Sequence, residues 1–341
     1  MSHPHDNREI FGTDPDGRSV YRVMLTGGGL TAHVLTWGGI LQDLRLAGHE
    51  PPLVLGFHEF QHYLDHSPYF GATPGRFANR IGGASFELNE ETHQLDANFL
   101  DKHTLHGGRQ GTGKRNWTIA DLGTSHVDLT LTDPDGWMGF PGTVELTCSY
   151  TLKDDGTLQV AFSARTDTAT PVSIAHHSYF NLDGSADCRD HTVQIDAETY
   201  LPVDDELIPV GAPASVDGTA FDFRIAKRIG ADLEDGLIYD HNWCLASERH
   251  NQRHVATATG GDGLVTMEVH TTEPGLQFYA GHKVDTPVEG LSGETYGAYA
   301  GFCFETQVWP DAPNQPDYPN SILQPDETIR QVTQYKFMLN R

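Results

Sequence analysis

Apolar and polar positions alternate along most of the chain, the period-two pattern of a strand with one buried face. In TVELTCSYTL, Val144, Leu146, Cys148, Tyr150 and Leu152 fall on one side, and after KDDGT the run LQVAFSA aligns Leu158, Val160, Phe162 and Ala164 in the same way. Two alternating runs around an Asp-Gly turn predict a β-hairpin. Similar short runs recur at RSVYRVML, LTAHVLTW, HVDLTLT, HTVQIDA, LVTMEVHT and LQFYAGH, punctuated by 36 glycines and 19 prolines. Only FHEFQHYL (Phe57–Leu64) and RIAKRIGADL (Arg224–Leu233) read as helices, both short. No segment sustains a 3.6-residue period over a dozen residues, which excludes a doubly wound α/β fold. No repeat of fixed period points to a propeller or solenoid. The pattern predicts an all-β protein: one large antiparallel β-sandwich domain over residues 1–341, with few short helices.

Charge narrows the partners. Lys and Arg number 22 against 47 Asp and Glu, a formal net charge of −25 spread along the chain. Such a protein repels nucleic acid and anionic membrane surfaces. It also repels phosphorylated ligands unless a local Arg/Lys cluster opposes the field, and the sequence has none. The four cysteines (Cys148, Cys188, Cys244, Cys303) are widely spaced and form no CxxC pair, which argues against a zinc ribbon or disulfide scaffold. MSHPHDNREIFG has no apolar core of a signal peptide, and no run approaches the length of a membrane span, so a cytoplasmic protein is expected.

Polar residues interrupt the β pattern in five places: GRFANRIGG, KHTLHGG, HHSYFNLDG, YDHNW and FETQVWPDAPNQPDYPN, with PGLQFYAG a milder sixth. A histidine in a β protein is most often a hydrogen-bonded structural residue. His106 and His177 stand out because each lies beside turn-formers at the end of a predicted strand, where sites are commonly built. Neighbouring strand residues point to opposite faces, so His176 and His177 cannot share one job. For the same reason they diverge rather than chelate, and with no HExxH spacing no metal site is expected. Asn79 and Arg80 are equally readable as loop anchors, Asp240 as a turn residue and Gln277 as an exposed strand amide. Glu305 lies in the aromatic strand GFCFETQ, where a carboxylate is seldom without a task or a partner, although a structural ion pair with Arg is an even alternative. Taken together, two imidazoles, carboxylates, an Arg, an Asn and a Gln among aromatic rings suit a sugar: polar groups bond its hydroxyls, and ring faces cover its C–H patches.

In order, YFGATPGRFANRI, LHGG, DPDGWMGFPG, HHSYFNL, YLPVDDELIPVG, YDHNW, GLQFYAG and GFCFETQVWPDAPNQPDYPNSILQPDETIRQVTQYKF resemble the aldose 1-epimerases, or galactose mutarotases, through nearly the whole chain. The resemblance implies a β-sandwich with a sugar cleft on one face and the interconversion of α and β anomers of free aldoses such as galactose and glucose. It implies His177, of the HxYFNL motif, as catalytic acid and Glu305, of ETQ, as catalytic base. His106 of LHGG becomes a second active-site imidazole, and Asn79, Arg80, Asp240 and Gln277 become hydroxyl ligands. In that scheme the base takes the C1 hydroxyl proton and the acid protonates the ring oxygen. The ring opens, C1 turns over, and closure reverses the roles without any cofactor. The partner implied is a small-molecule sugar, with the protein a monomer or homodimer. Two departures stand out: His176 replaces a common Asn, and VWPDAPNQP replaces HYPDAINHP, which makes Trp309 a possible cleft residue bearing on sugar preference. A hexose-6-phosphate 1-epimerase and a non-catalytic carbohydrate-binding protein of the same fold are the alternatives.

Overall fold

The hairpin read from alternation forms as expected, and it is the centre of the larger of two main sheets. The structure, a computed structural model, describes residues 7–233 and 236–340. Strands Val144–Leu152 and Thr157–Thr166 pair antiparallel with Cys148 opposite Phe162 and Leu152 opposite Leu158. Along the first strand every second residue is buried, from Val144 to Leu152, while the residues between are wholly or partly exposed. These strands belong to a nine-stranded sheet running in the order 227–228, 192–195, 253–259, 265–271, 329–339, 157–166, 144–152, 126–133, 118–122. A six-stranded sheet follows the order 179–180, 302–307, 275–279, 240–244, 199–200, 214–215, and a four-stranded meander is built from residues 8–46.

The inner faces of the two large sheets meet in one apolar core. Val160, Met267 and Tyr335 of the larger sheet join Phe278, Phe302 and Phe304 of the smaller one in it. The Tyr335 hydroxyl donates to the Phe304 carbonyl across the gap at 3.1 Å, and the rings of Phe180 and Tyr335 lie 5.0 Å apart. Burying each such side chain contributes roughly 1.5–3 kcal/mol. Val23, Leu25, Val34 and Leu44 of the meander extend the same core.

The sheets differ in their second faces. The larger sheet turns Thr147, Ser149 and Ser163 toward partial exposure. The strand Phe302–Gln307 is buried at every position, although Cys303, Glu305 and Gln307 alternate with Phe302, Phe304 and Thr306. A polar face buried this way marks where the chain departs from simple sandwich packing.

The two helix expectations fare differently. A short helix, Phe60–Asp65, forms within the first segment and buries Phe60 and Tyr63. The second expectation is corrected. Residues 224–233 contain the two-residue strand Lys227–Arg228, paired with Thr192–Val193, followed by a 3-10 turn at Ile229–Asp232. Only Ile229 is fully buried there, with Leu233 partly buried against the core, and Ile225 is 83% exposed, so no apolar stripe drives a helix while a free sheet edge is at hand.

Candidate active site

Glu305 projects from the outer face of the six-stranded sheet because it is out of phase with Phe302 and Phe304. Its cross-strand neighbour is Gln277, which in turn faces Asn242, and the adjacent row runs Asp240, Tyr279, Cys303 and Tyr179. Cross-strand pairs share a face, so this ladder sets the carboxylate among amides, a phenol and a second carboxylate. His177 is held over it by two backbone hydrogen bonds, its N–H to the Ala72 carbonyl (2.9 Å) and its carbonyl from the Gly71 N–H (3.0 Å). Its Nε2 lies 3.6 Å from Glu305 Oε1. The ring is sandwiched between Tyr69 and Tyr179, at 6.0 and 5.2 Å with interplanar angles of 25° and 27°.

His176 does face the other way. Its Nδ1 is 3.3 Å from the Tyr150 hydroxyl and its Nε2 is 2.8 Å from Ser178 Oγ, inside the apolar core. Burial lowers its pKa to about 3, so it stays neutral.

The ANR and LHGG segments lock one another. Arg80 pairs with Leu105 in a two-residue ladder, the His106 N–H donates to the Asn79 carbonyl, and the Asn79 N–H donates to His106 Nδ1 at 3.1 Å. Gly107 is required here: at φ +80° a Cβ would also stand 2.0 Å from the Gly75 carbonyl oxygen. The Asn79 amide bond fixes the tautomer of His106, since a neutral ring accepting at Nδ1 carries its proton on Nε2. Burial, reinforced by nearby His177, Arg80 and Lys114, holds that imidazole well below its usual pKa, so it offers a fixed N–H donor.

Arg80 completes the wall. Its guanidinium lies 4.9 Å from the Phe99 ring centroid and reaches Asp240 Oδ2 at 3.3 Å. Gln277 Nε2 donates to Asp240 Oδ1 at 2.6 Å. Burial pushes the Asp240 carboxyl up, but Arg80 and the Gln277 hydrogen bond outweigh it and keep the carboxylate ionised.

Burial acts on the central pair in opposite directions. It raises the Glu305 carboxyl well above its ordinary range, with the Asp240 charge adding to the effect, and lowers His177 to about 4. Between these limits the pair is neutral overall and carries one proton, which belongs to the pair rather than to either residue. An imidazole and a carboxyl 3.6 Å apart, shifted in opposite directions, are each able to give or take a proton.

One ligand-type atom from each of His106, His177 and Glu305 lies within 4.8 Å of the others, a spacing a divalent cation can bridge. His106 does not fit that role. Its Nδ1 lone pair is committed to the Asn79 amide, and protonated Nε2 has none to offer. Two donors remain, against about three protein ligands at a catalytic zinc.

The cleft over this face measures about 230 Å³, and Asn79, Arg80, His106, His177, Asp240 and Glu305 all line it. Gln277 is brought to the same place one layer back, bonded to Asp240. Trp309 is not at the cleft; its indole packs with Leu201, Cys244 and Tyr318, and donates to the Pro274 carbonyl at 2.9 Å. Sequence reasoning missed Tyr69, Phe99, Tyr179, Tyr279 and Lys283, which also line the cleft. Tyr279 was findable, two residues beyond Gln277 on the same face. Tyr69 sits at φ +69° and Phe99 packs under Arg80, and neither has a local sequence signal.

Comparison with known proteins identifies the family. The aldose 1-epimerase family model matches residues 21–336. The chain is 41% identical to human galactose mutarotase over 340 residues, 97% of this chain and 98% of the human protein. It is 35% identical to the aldose 1-epimerase of Escherichia coli K12 over 339 residues, 95% of this chain and 97% of the bacterial one. The crystal structure of a GalM/aldose epimerase homologue from C. elegans superposes with a TM-score of 0.87 at 27% identity, covering 94% of this chain and 99% of the other. With a buried acid–base pair on the cleft face of a two-sheet β fold and a family match along nearly its whole length, the chain belongs to the aldose 1-epimerase family of isomerases.

Proposed function

We propose that the enzyme interconverts the α and β anomers of free aldoses, galactose among them, with Glu305 and His177 moving the protons. The observation that carries the reading is the pair itself: two buried groups, 3.6 Å apart at the wall of one cleft, whose proton affinities burial shifts in opposite directions. Glu305 as carboxylate takes the proton from the C1 hydroxyl while His177 gives one from Nε2 to the ring oxygen. The C1–O5 bond breaks to an open-chain aldehyde, C1–C2 rotates, and O5 attacks the opposite carbonyl face. On closure His177 takes back the O5 proton and Glu305 returns one to O1, so the pair ends as it began. His106 supplies its Nε2–H to a sugar oxygen, Asp240, Arg80 and Asn79 bond hydroxyls, and Tyr69 and Phe99 cover the C–H faces. Gln277 acts by holding Asp240.

Relatives of about the same length carry the name galactose mutarotase, which supports galactose as a substrate. The four cysteines are all free and buried, which suits a reducing compartment such as the cytoplasm, and no helix among the described residues is long and apolar enough to cross a membrane. Polarimetry on freshly dissolved α-galactose tests the assignment. Glu305→Gln and His177→Asn are each expected to lose on the order of 10²–10⁴-fold in rate. Wild-type rates in either variant would remove that residue from the scheme.

A further inference from the structure

Behind Glu305 the sheet presents amides with polar atoms that the proposed chemistry does not use. Two cross-strand rows stand side by side on the cleft face: Asn242, Gln277 and Glu305 in one, Cys244, Gly275 and Gln307 in the next. Gly275 is at the centre of the second row and has no side chain to fill it. A Cβ there would lie 2.4 Å from Asn242 Oδ1 and 2.9 Å from the Trp309 ring, so the Asn242 amide and the edge of Trp309 close over the glycine. The polar atoms facing this spot are deeply buried: Gln307 is 0% exposed, Asn242 1%, and Gln277 and Glu305 2%. Glu305 Oε2, Gln277 Oε1, Asn242 Oδ1 and both side-chain polar atoms of Gln307 have no protein hydrogen-bond partner among the described residues.

Native proteins seldom leave one such atom unmatched, and a whole buried amide without partners is strongly unfavourable. Acceptors alone cannot satisfy one another, and the Gln307 amide offers only two N–H donors for the three acceptors beside it. A small molecule that both donates and accepts, and makes about three hydrogen bonds when buried, resolves the mismatch: water. We infer that Asn242, Gln277 and Gln307 hold ordered water against Glu305 Oε2, which makes Gln307 a positioning residue for the carboxylate. The water bonds Oε2 on the side away from the sugar and leaves Oε1 turned toward His177. It also solvates a carboxylate that protein atoms alone leave half-satisfied, so the ionised form needed to take the C1 proton is accessible. Trp309, which does not touch the cleft, closes one side of this amide patch. The inference rests on the assignment of Glu305 as base.

Two measurements test it. A high-resolution crystal structure of the wild-type enzyme is expected to show water within about 3.2 Å of both Glu305 Oε2 and the Gln307 amide. A Gln307 amide bonded only to protein atoms, with no water beside Oε2, overturns the inference whatever the variants do. Gln307→Leu, matched in size but without the amide, is expected to lower kcat about ten- to a hundredfold with KM for galactose within a factor of two, the scale usual for groups that orient a reacting residue. Gln307→Asn, which keeps a shortened amide, is expected to recover most of that loss. Unchanged kcat in the Leu variant, or a loss confined to KM, also overturns it. Failure of the underlying assignment is seen separately: it requires an active Glu305→Gln, whereas an inactive Glu305→Gln beside a fully active Gln307→Leu refutes the water site alone.

Discussion

The two main sheets solve opposite problems with the same alternating grammar. In the nine-stranded sheet each strand buries one face and leaves Thr147, Ser149 and Ser163 partly in water, so every polar group is cheaply satisfied. In the six-stranded sheet both faces of Phe302–Gln307 are buried, one apolar and one polar. The first arrangement adds stability. The second spends some of it, because Glu305 is held out of bulk solvent, where a carboxylate charge is costly. The difference teaches that the strand pattern tells which residues share a face, and the burial of the polar face tells which sheet carries the proposed site.

Glu305→Gln separates the two roles most sharply. Alongside the loss of rate, it is expected to melt higher than wild type at pH 8. A carboxyl whose folded pKa is raised contributes stability below its unfolded pKa and loses it as pH rises, so an amide removes a penalty that grows as pH climbs above the ordinary value of 4.5. Near pH 4 the difference in melting temperature is expected to vanish. The opposite face of the same strand responds in the reverse manner. Phe304→Ala is expected to destabilise by about 3–5 kcal/mol in denaturant titration.

Acid acts on the histidines of the two faces together. His176, His177 and His241 are lowered by burial to about 3, 4 and 4. Unfolded, each binds a proton near pH 6.5, so between about pH 6.5 and 4 the unfolded chain holds more protons and stability falls as pH drops. His176→Asn is expected to flatten this acid slope in thermal melts with little change in rate at pH 7.5. Activity is expected to fall as pH approaches about 4 in wild type, where a second proton on the Glu305–His177 pair leaves no base. Smallest of all, Ser163→Thr on the outer face of the larger sheet is expected to stay within about 0.5 kcal/mol of wild type with full activity.

Much of this was legible in the residues. The hairpin at 144–166 was readable because its alternation is unbroken over nine residues in each strand, and its turn carries Asp-Gly. The separate fates of His176 and His177 followed from the same period. The segment 224–233 was misread because its apolar residues are too few to choose a period, and pairing with Thr192–Val193 decided the outcome. Trp309 was placed at the cleft on its position after ETQ, whereas Pro310 follows it and its indole is drawn to the Pro274 carbonyl. Tyr69 and Phe99 were invisible as site residues because a ring that lines a cleft and a ring that fills a core leave the same mark on a sequence. Only the tertiary approach of their loops to Arg80 and His177 distinguishes them.

The hydrogen bond from the Asn79 amide to His106 bears on what the cleft could become. Two imidazoles and a carboxylate within 4.8 Å look like an invitation to turn an isomerase into a metalloenzyme. A designer who adds a third good ligand beside them will still find one imidazole facing inward with a proton where a lone pair is needed. The change has to begin in the main chain, by withdrawing a single N–H at residue 79, and proline cannot do it at φ +63°. An ordinary backbone amide thus sets how many donors the cleft can offer, with no side chain dedicated to the task.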